Sequence, residues 1–449
     1  MQEVDIAQAL AAIGRQEEAQ FILRRILSGA PETAPVEWPR AAAALSMLLL
    51  PSGRFQEAVT LAEQAIAHAP HDPLLLAVHR QIGMTLYRDM FYEEALPWLE
   101  RAAELEPWDK ALAAMLQHAR PRDYLTPEIE DPVTGRVLRR YNPREGSSYI
   151  YVIDIVGTCN LRCPTCPVGN SELGTRPRGM MKPAMFREII AKIRRESPSE
   201  RPEINLFNWG EPLLHPQLPS FIQLLRESGM VSKLSTNLNI KRGLDAVVRA
   251  APDDLKVSLS GFSPDSYGRT HTGGDLALVQ RNLRALREAI DRHKVGTHVW
   301  VSHHLYRNNL GETDAVRAMC AELRFAYRPI QAFYMPLERL QEYLDGRPNP
   351  LDHGIIAELL TDPRVSHRMI QTLRSGKFDC ELRFNQTVIN HDGSVALCCT
   401  VYDQENMLGV DFLGHDHAEI ERRKYAHPFC AKCFKAGTEY TRAELRPVG

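Results

Sequence analysis

The sequence predicts a multidomain protein of mixed class: an α-helical repeat array, an α/β unit on a parallel sheet, and a small C-terminal α+β unit. Three observations predict it. The first 120 residues repeat at intervals of 39 and 37 residues. From Tyr149 onward, apolar strand-like runs alternate with helix-like ones, the pattern of βα units. Near the end, alternating residues flank His391-Asp392-Gly393 and read as a β-hairpin with an Asp-Gly turn.

Aligning Ala19, Ala58 and Ala95 also aligns Ile26, Ala65 and Ala102, then Pro31, Pro70 and Pro107. Each copy carries a Glu-Ala pair, apolar residues at helical spacing and a closing proline. This unit resembles the tetratricopeptide repeat, usually near 34 residues. Stacked copies bury a face that no single copy could bury, and their concave surface serves either as a structural cap or as a groove for a peptide or protein partner. Residues 121–148, rich in Pro, Gly and charge, read as a linker with a short hairpin at Asp131–Val137.

With 449 residues, 44% hydrophobic and 24% charged, the chain has the composition of a globular protein with two or three domains. A net charge of -2, with both signs spread along the chain, argues against a nucleic-acid or membrane surface. The run Ala41 to Leu50 ends at Pro51, about half the roughly 20 residues a spanning helix needs, and predicts a buried helix. The opening MQEVDIAQAL lacks the basic and apolar regions of a secretory signal, so the cytoplasm is the expected compartment and the nine cysteines should be reduced.

Eight of those cysteines cluster, and Cys320, inside a helical pattern, reads as core. Cys159, Cys163 and Cys166 follow the strand-like run at 149–155 with C-x3-C-x2-C spacing. A structural zinc site wants four ligands; a 4Fe-4S cluster held by three leaves one iron open. The motif resembles that of the radical S-adenosylmethionine (SAM) enzymes. The resemblance implies a partial, six-stranded (β/α)6 TIM-like barrel over 149–332, with chemistry at the strands' carboxyl ends. The strands read from the sequence are 149–155, 203–208, 231–235, 254–260, 297–303 and 325–330. It also implies a 4Fe-4S cluster on the three cysteines, S-adenosylmethionine on its open iron, and a one-electron donor such as flavodoxin or ferredoxin.

After the second strand, Asn208-Trp209-Gly210-Glu211-Pro212 resembles the family's Gly-Glu-Pro type motif, with Gly210 allowing close approach and Glu211 meeting the cofactor's amino group. Asn237, Ser258 and Ser260 stand at later strand ends, where such side chains bond ribose hydroxyls and a carboxylate in the family, or simply cap turns. His303, His304 and Arg307 close the fifth strand as candidates for proton acceptor or carboxylate clamp. Thr165 stands where the family usually has an aromatic residue beside the adenine.

Residues 333–377 read as a helical connector, and 378–449 as the last unit. There Cys380, Cys398, Cys430 and Cys433 can close a tetrahedral zinc site or hold a cluster. Their spacing resembles the SPASM/twitch extension, in its shorter twitch form, which implies an auxiliary 4Fe-4S cluster as electron acceptor, with Cys398 as ligand and Cys399 spare. The reading that follows is oxidation of a peptide or protein by hydrogen abstraction. Its alternatives are dehydrogenation of a small molecule such as a sugar or aminocyclitol, and a non-enzymatic zinc-stapled scaffold.

Overall fold

The computed structural model describes residues 3–29, 36–50, 54–70, 72–88, 92–119, 128–140, 149–170, 178–349, 352–373 and 379–438. Seven helices come first: Glu3–Ala12, Gln16–Leu27, Glu37–Leu49, Phe55–His68, Pro73–Arg88, Tyr92–Leu105 and Lys110–Ala119. The alanines that marked the repeat, Ala19, Ala58, Ala65, Ala95 and Ala102, are fully buried between them. With only a methyl group at those positions, neighbouring helices approach closely, and one apolar core runs through the array. The Ala41–Leu50 run is helical and buried, as its length predicts. Pro31 and Pro51 lie outside the described residues. Ile370, from the helix Pro363–Leu373, joins the same core and ties the connector to the array.

An antiparallel ribbon of β1 (Glu128–Glu130) and β2 (Val137–Arg139) forms where the short hairpin was expected. The six predicted strands follow: β3 (Ile150–Asp154), β4 (Glu203–Asn205), β5 (Val231–Thr236), β6 (Asp254–Ser258), β7 (His298–Leu305) and β8 (Ala326–Gln331). They pair in chain order, all parallel. Helices between them, among them Pro183–Glu196, Leu218–Glu227, Leu276–His293 and Thr313–Glu322, cover the outer face. Cys320 is buried in that core.

The C-terminal hairpin continues this same sheet. Its first strand, β9 (Gln386–Asn390), lies parallel to β3 and antiparallel to β10 (Ser394–Ala396), and β11 (Met407–Asp411) closes the edge of a nine-stranded sheet. Every residue of β9 is buried, so its amide groups need a strand on each side. Read in sequence order the hairpin stands apart; in space β3 supplies its second partner. Among the described residues, no helix is long and apolar enough to cross a membrane.

The two faces of the parallel strands differ. Leu234, Leu255, Val257, Val299 and Val301 face the helices, while the alternate positions carry Glu203, Lys233, Asp254, Lys256, Ser258 and His304. Period-two alternation therefore leaves a polar interior, in which Lys233 pairs with Glu203 at 2.6 Å, while Asp254 meets the exposed His298 at 2.7 Å.

At the carboxyl ends, Asp154 accepts hydrogen bonds from the amides of Trp209 at 3.3 Å and Gly210 at 3.2 Å, which draws the β4 loop onto β3. A Cβ at Gly210 would lie 1.6 Å from the Val156 carbonyl oxygen. Gly210→Ala therefore has to part the two chains. A loss of about 3 kcal/mol or more in urea unfolding is expected, against a change below about 1 kcal/mol for Gly296→Ala, which has open space around it.

Candidate active site

A cavity of about 400 Å³ opens at the carboxyl ends of the strands, within the size range of small-molecule sites. Cys159, Cys163 and Cys166 line it together with Gly210, Glu211 and Asn237. The loop after β3 carries the thiols past the sheet. Gly169 lets the chain turn back on itself there, since a Cβ would sit 2.1 Å from the Cys163 carbonyl oxygen. Burial raises all three thiols: Cys159 to about 11, Cys166 to about 12, and Cys163 well above its usual range. The sulfur of Cys159 accepts the Leu161 amide at 3.4 Å and the Asn237 side-chain amide at 3.5 Å.

Glu211 is buried, and its carboxylate accepts three hydrogen bonds: from the Leu213 amide at 3.0 Å, the Thr236 hydroxyl at 2.8 Å and the Asn237 amide at 2.8 Å. Those donors hold it at the junction of β4 and β5. Burial nevertheless pushes its pKa up to about 7, against the lowering effect of its partners. Ser258 and Ser260 line the cavity too, and the Ser260 hydroxyl lies 3.3 Å from Nδ1 of His304.

The structure separates His303, His304 and Arg307. His304 projects into the cavity, where burial first, and then Lys256 and the neighbouring histidines, lower its pKa to about 3 and keep it neutral. His303 is on the opposite face of β7, with Nδ1 3.0 Å from the Tyr327 hydroxyl, because adjacent strand residues point to opposite sides. Arg307 has left the strand, its amide bonded to the Glu358 carbonyl at 2.9 Å and its guanidinium to that of Leu360 at 3.1 Å. Neither lines the cavity as described.

Sequence reasoning missed Lys256 and Tyr306 and left Cys399 spare; all three line the cavity. The alternation of polar residues at 254, 256, 258 and 260 was the available signal for Lys256. Tyr306 donates to or accepts from the Thr165 hydroxyl at 2.8 Å, placing an aromatic ring beside the cysteine loop from a different strand end. Nothing in the local pattern announces that contact.

Cys380, Cys398, Cys430 and Cys433 line a second, smaller cavity of about 30 Å³ beside Arg383 and Lys424. Cys399 is absent from its walls and opens instead onto the first cavity; adjacent residues of one turn face opposite ways. Thr400 lines both cavities, and its hydroxyl is 3.0 Å from the Cys398 sulfur. Lys424 hydrogen-bonds the Gln386 carbonyl, and burial lowers its pKa to about 8. All nine cysteines are unbridged.

Residues 153–307 match the model of the Radical SAM superfamily. This stretch, about a third of the chain, is similar to a radical SAM domain. It runs from the end of β3 to just past β7 and contains the three motif cysteines. A GTP 3',8-cyclase of Chlorobaculum tepidum is 26% identical over 133 residues, spanning 28% of this chain and 37% of the cyclase, so the match reaches little more than a third of that relative's length. Among solved structures, native anSMEcpe with bound AdoMet (S-adenosylmethionine) shares 16% identity, covering 66% of this chain and 88% of that one, with a TM-score of 0.43. Streptococcus suis SuiB bound to S-adenosylmethionine shares 14%, covering 82% and 86%, at 0.43. BtrN in complex with AdoMet and 2-DOIA shares 14%, covering 66% and 92%, at 0.37.

The resemblance to that superfamily implies an enzyme with a 4Fe-4S cluster and AdoMet. Among the described residues, no three His, Cys, Asp or Glu side chains are grouped as ligands of a single metal ion. The donor set fits the cluster nonetheless: three thiols on one cavity, with hydrogen-bond donors already directed at the Cys159 sulfur. Iron must displace the protons that burial stabilises on them. In the iron-free chain at pH 8, Cys159 and Cys166 should react with iodoacetamide about a hundredfold more slowly than glutathione. Peptide mass spectrometry over a time course reads this out, and equal rates would contradict the buried placement.

Proposed function

We propose that the chain is a radical SAM oxidoreductase that acts on a peptide or protein by hydrogen abstraction, with an auxiliary 4Fe-4S cluster receiving the substrate's second electron. The observation that carries the reading is the convergence of Cys159, Cys163, Cys166 and Glu211 on one cavity. When bound and reduced, the cluster supplies one electron to AdoMet, which gives methionine and a 5'-deoxyadenosyl radical able to abstract hydrogen from an unactivated carbon. A ferredoxin or flavodoxin type of donor would provide that electron.

The residues of this chain bind and orient. Glu211 receives the cofactor's ammonium group, a cation that answers the charge burial opposes. Asn237 braces both the Glu211 carboxylate, through its amide, and the Cys159 sulfur, through its side chain. Ser258 and Ser260 offer hydroxyls on the cavity wall, while Tyr306, Phe333 and Met335 add rings and a thioether that exclude water. Tyr306 supports adenine stacking in place of the aromatic residue that Thr165 lacks.

Cys380, Cys398, Cys430 and Cys433 would hold the auxiliary cluster, with Cys398 rather than Cys399 as ligand, since Cys399 opens onto the other cavity. Thr400, common to both walls, favours a short electron path between them. The helical array, whose repeats are similar to modules with partner-binding surfaces, would recruit the macromolecular substrate.

Anaerobic reconstitution tests the two-cluster reading. About eight iron and eight sulfide per chain are expected from two 4Fe-4S sites; a zinc-containing chain without sulfide would overturn it. Cys163→Ala should retain about half the iron and lose AdoMet cleavage altogether.

Glu211 adds a pH dependence. Its carboxyl takes up a proton as pH falls through about 7, so attraction for the cofactor's ammonium is present above that pH and lost below it. AdoMet affinity, read by equilibrium dialysis, should weaken up to about tenfold per unit below pH 7. Glu211→Gln should bind at least about tenfold more weakly at pH 8 and show a flat profile.

A further inference from the structure

Lys256 is a cation inside the barrel without an anion assigned to it. Its side chain lines the main cavity, and its ammonium lies 5.2 Å from the ring centre of Phe207 and 5.7 Å from that of Trp300. Among the described residues, it makes no hydrogen bond and no ion pair. The nearest strand carboxylate, Asp254, is already engaged by His298 Nδ1 at 2.7 Å and by the Trp300 indole at 2.8 Å. Two aromatic faces return part of the lost hydration but give an ammonium no acceptor. His304 and His271, on the same wall, are held neutral by burial and offer no negative charge.

The position points to substrate more than to cofactor. Lys256 sits within β6, two residues before Ser258, roughly 6.6 Å of strand rise toward the amino end. Of the groups assigned to AdoMet, Glu211 and Asn237 with the thiols lie past the strand ends, and Ser258 and Ser260 stand at the carboxyl end of β6, beyond Lys256. The two rings fix the ammonium at the deeper level. We propose that Lys256 anchors an anionic oxygen group of the substrate, a carboxylate or phosphate, inside the barrel. This rests on the radical SAM reading and narrows its substrate to one that presents such a group near the carbon attacked. On a peptide, an acidic side chain, a terminal carboxylate or a phosphorylated residue would qualify.

Cys399 is a built-in reporter. Its thiol opens onto the same cavity; burial lowers the proton affinity of Lys256, and Asp254 and then Cys399 act against that lowering. In the anaerobically reconstituted full-length chain, alkylation of Cys399 by anionic iodoacetate is compared with alkylation by neutral iodoacetamide, using peptide mass spectrometry. Relative to glutathione, Cys399 should favour iodoacetate by about fivefold or more. Lys256→Met should abolish that preference and Lys256→Arg should keep it. In the unmodified chain, whose folding is not in question, millimolar inorganic phosphate or acetate should slow iodoacetate at Cys399, and the more effective of the two identifies phosphate or carboxylate as the group preferred.

A saturating concentration of AdoMet should leave the preference standing. If AdoMet abolishes it, Lys256 serves the cofactor's own carboxylate and the proposal fails. It also fails if wild type shows no preference, or if the preference survives Lys256→Met. Failure of the underlying reading looks different: the wild-type chain then binds neither iron with sulfide nor AdoMet, whatever Cys399 reports.

Discussion

Two buried carboxylates lace the carboxyl ends of β3, β4 and β5 together, and the rest of the site hangs from that lacing. Asp154 gathers the amides of Trp209 and Gly210, and Glu211 gathers Leu213, Thr236 and Asn237. The donors are backbone amides and a hydroxyl, so the Glu211 charge is solvated by dipoles without a neighbouring cation to balance it. Such an arrangement tolerates a carboxylate in a dry interior at the cost of a raised pKa. It also leaves the carboxylate responsive to a cation arriving from the cavity. Under the proposed function, a contact that positions the strands is thereby also a binding contact.

The same sheet joins the two groups of thiols. Because β9 pairs with β3, the turn that follows β10 returns to the ends of the barrel strands, and Cys398, Cys399 and Thr400 arrive together. Consecutive residues there face different spaces: Cys398 the small cavity with three other thiols, Cys399 the large one. The Trp209 indole donating to the Val401 carbonyl at 3.0 Å, and Glu338 accepting from the amides of Tyr402 and Asp403, hold that turn in place. Buried Arg383, paired with Asp131 at 2.8 Å and Asp379 at 2.7 Å, ties the β1–β2 ribbon to the helix that begins after Cys380.

Local patterns carried much of the fold. Each of the six barrel strands lies within two or three residues of its sequence reading, because a buried strand needs a run of apolar or alternating residues and the chain supplies one each time. The Ala41–Leu50 helix and the Asp-Gly hairpin were legible for the same reason. The partnership of β9 with β3 was not, since strand pairing across more than 200 residues leaves no trace in either segment alone. Among site residues, His304 and His303 look alike in sequence. Only the phase of β7 relative to the barrel axis tells which one enters the cavity, and the strand's apolar partners at 299 and 301 show that His303 shares their side.

By itself, the sequence determined the spacing of the thiols and the order of the elements: C-x3-C-x2-C after a strand, a Gly-Glu-Pro loop one βα unit later, and four more spaced cysteines. Those are local covalent facts, and they do not depend on packing. What the tertiary structure decided is which of these groups share a space. It brought Lys256, Tyr306 and Cys399 to the cavity, took His303 and Arg307 from it, and set the four-thiol group one residue away through Thr400. The reason is geometric: side-chain direction reverses at every strand residue, so curving the sheet around the cavity selects half of the candidates, and which half depends on contacts far away in the chain.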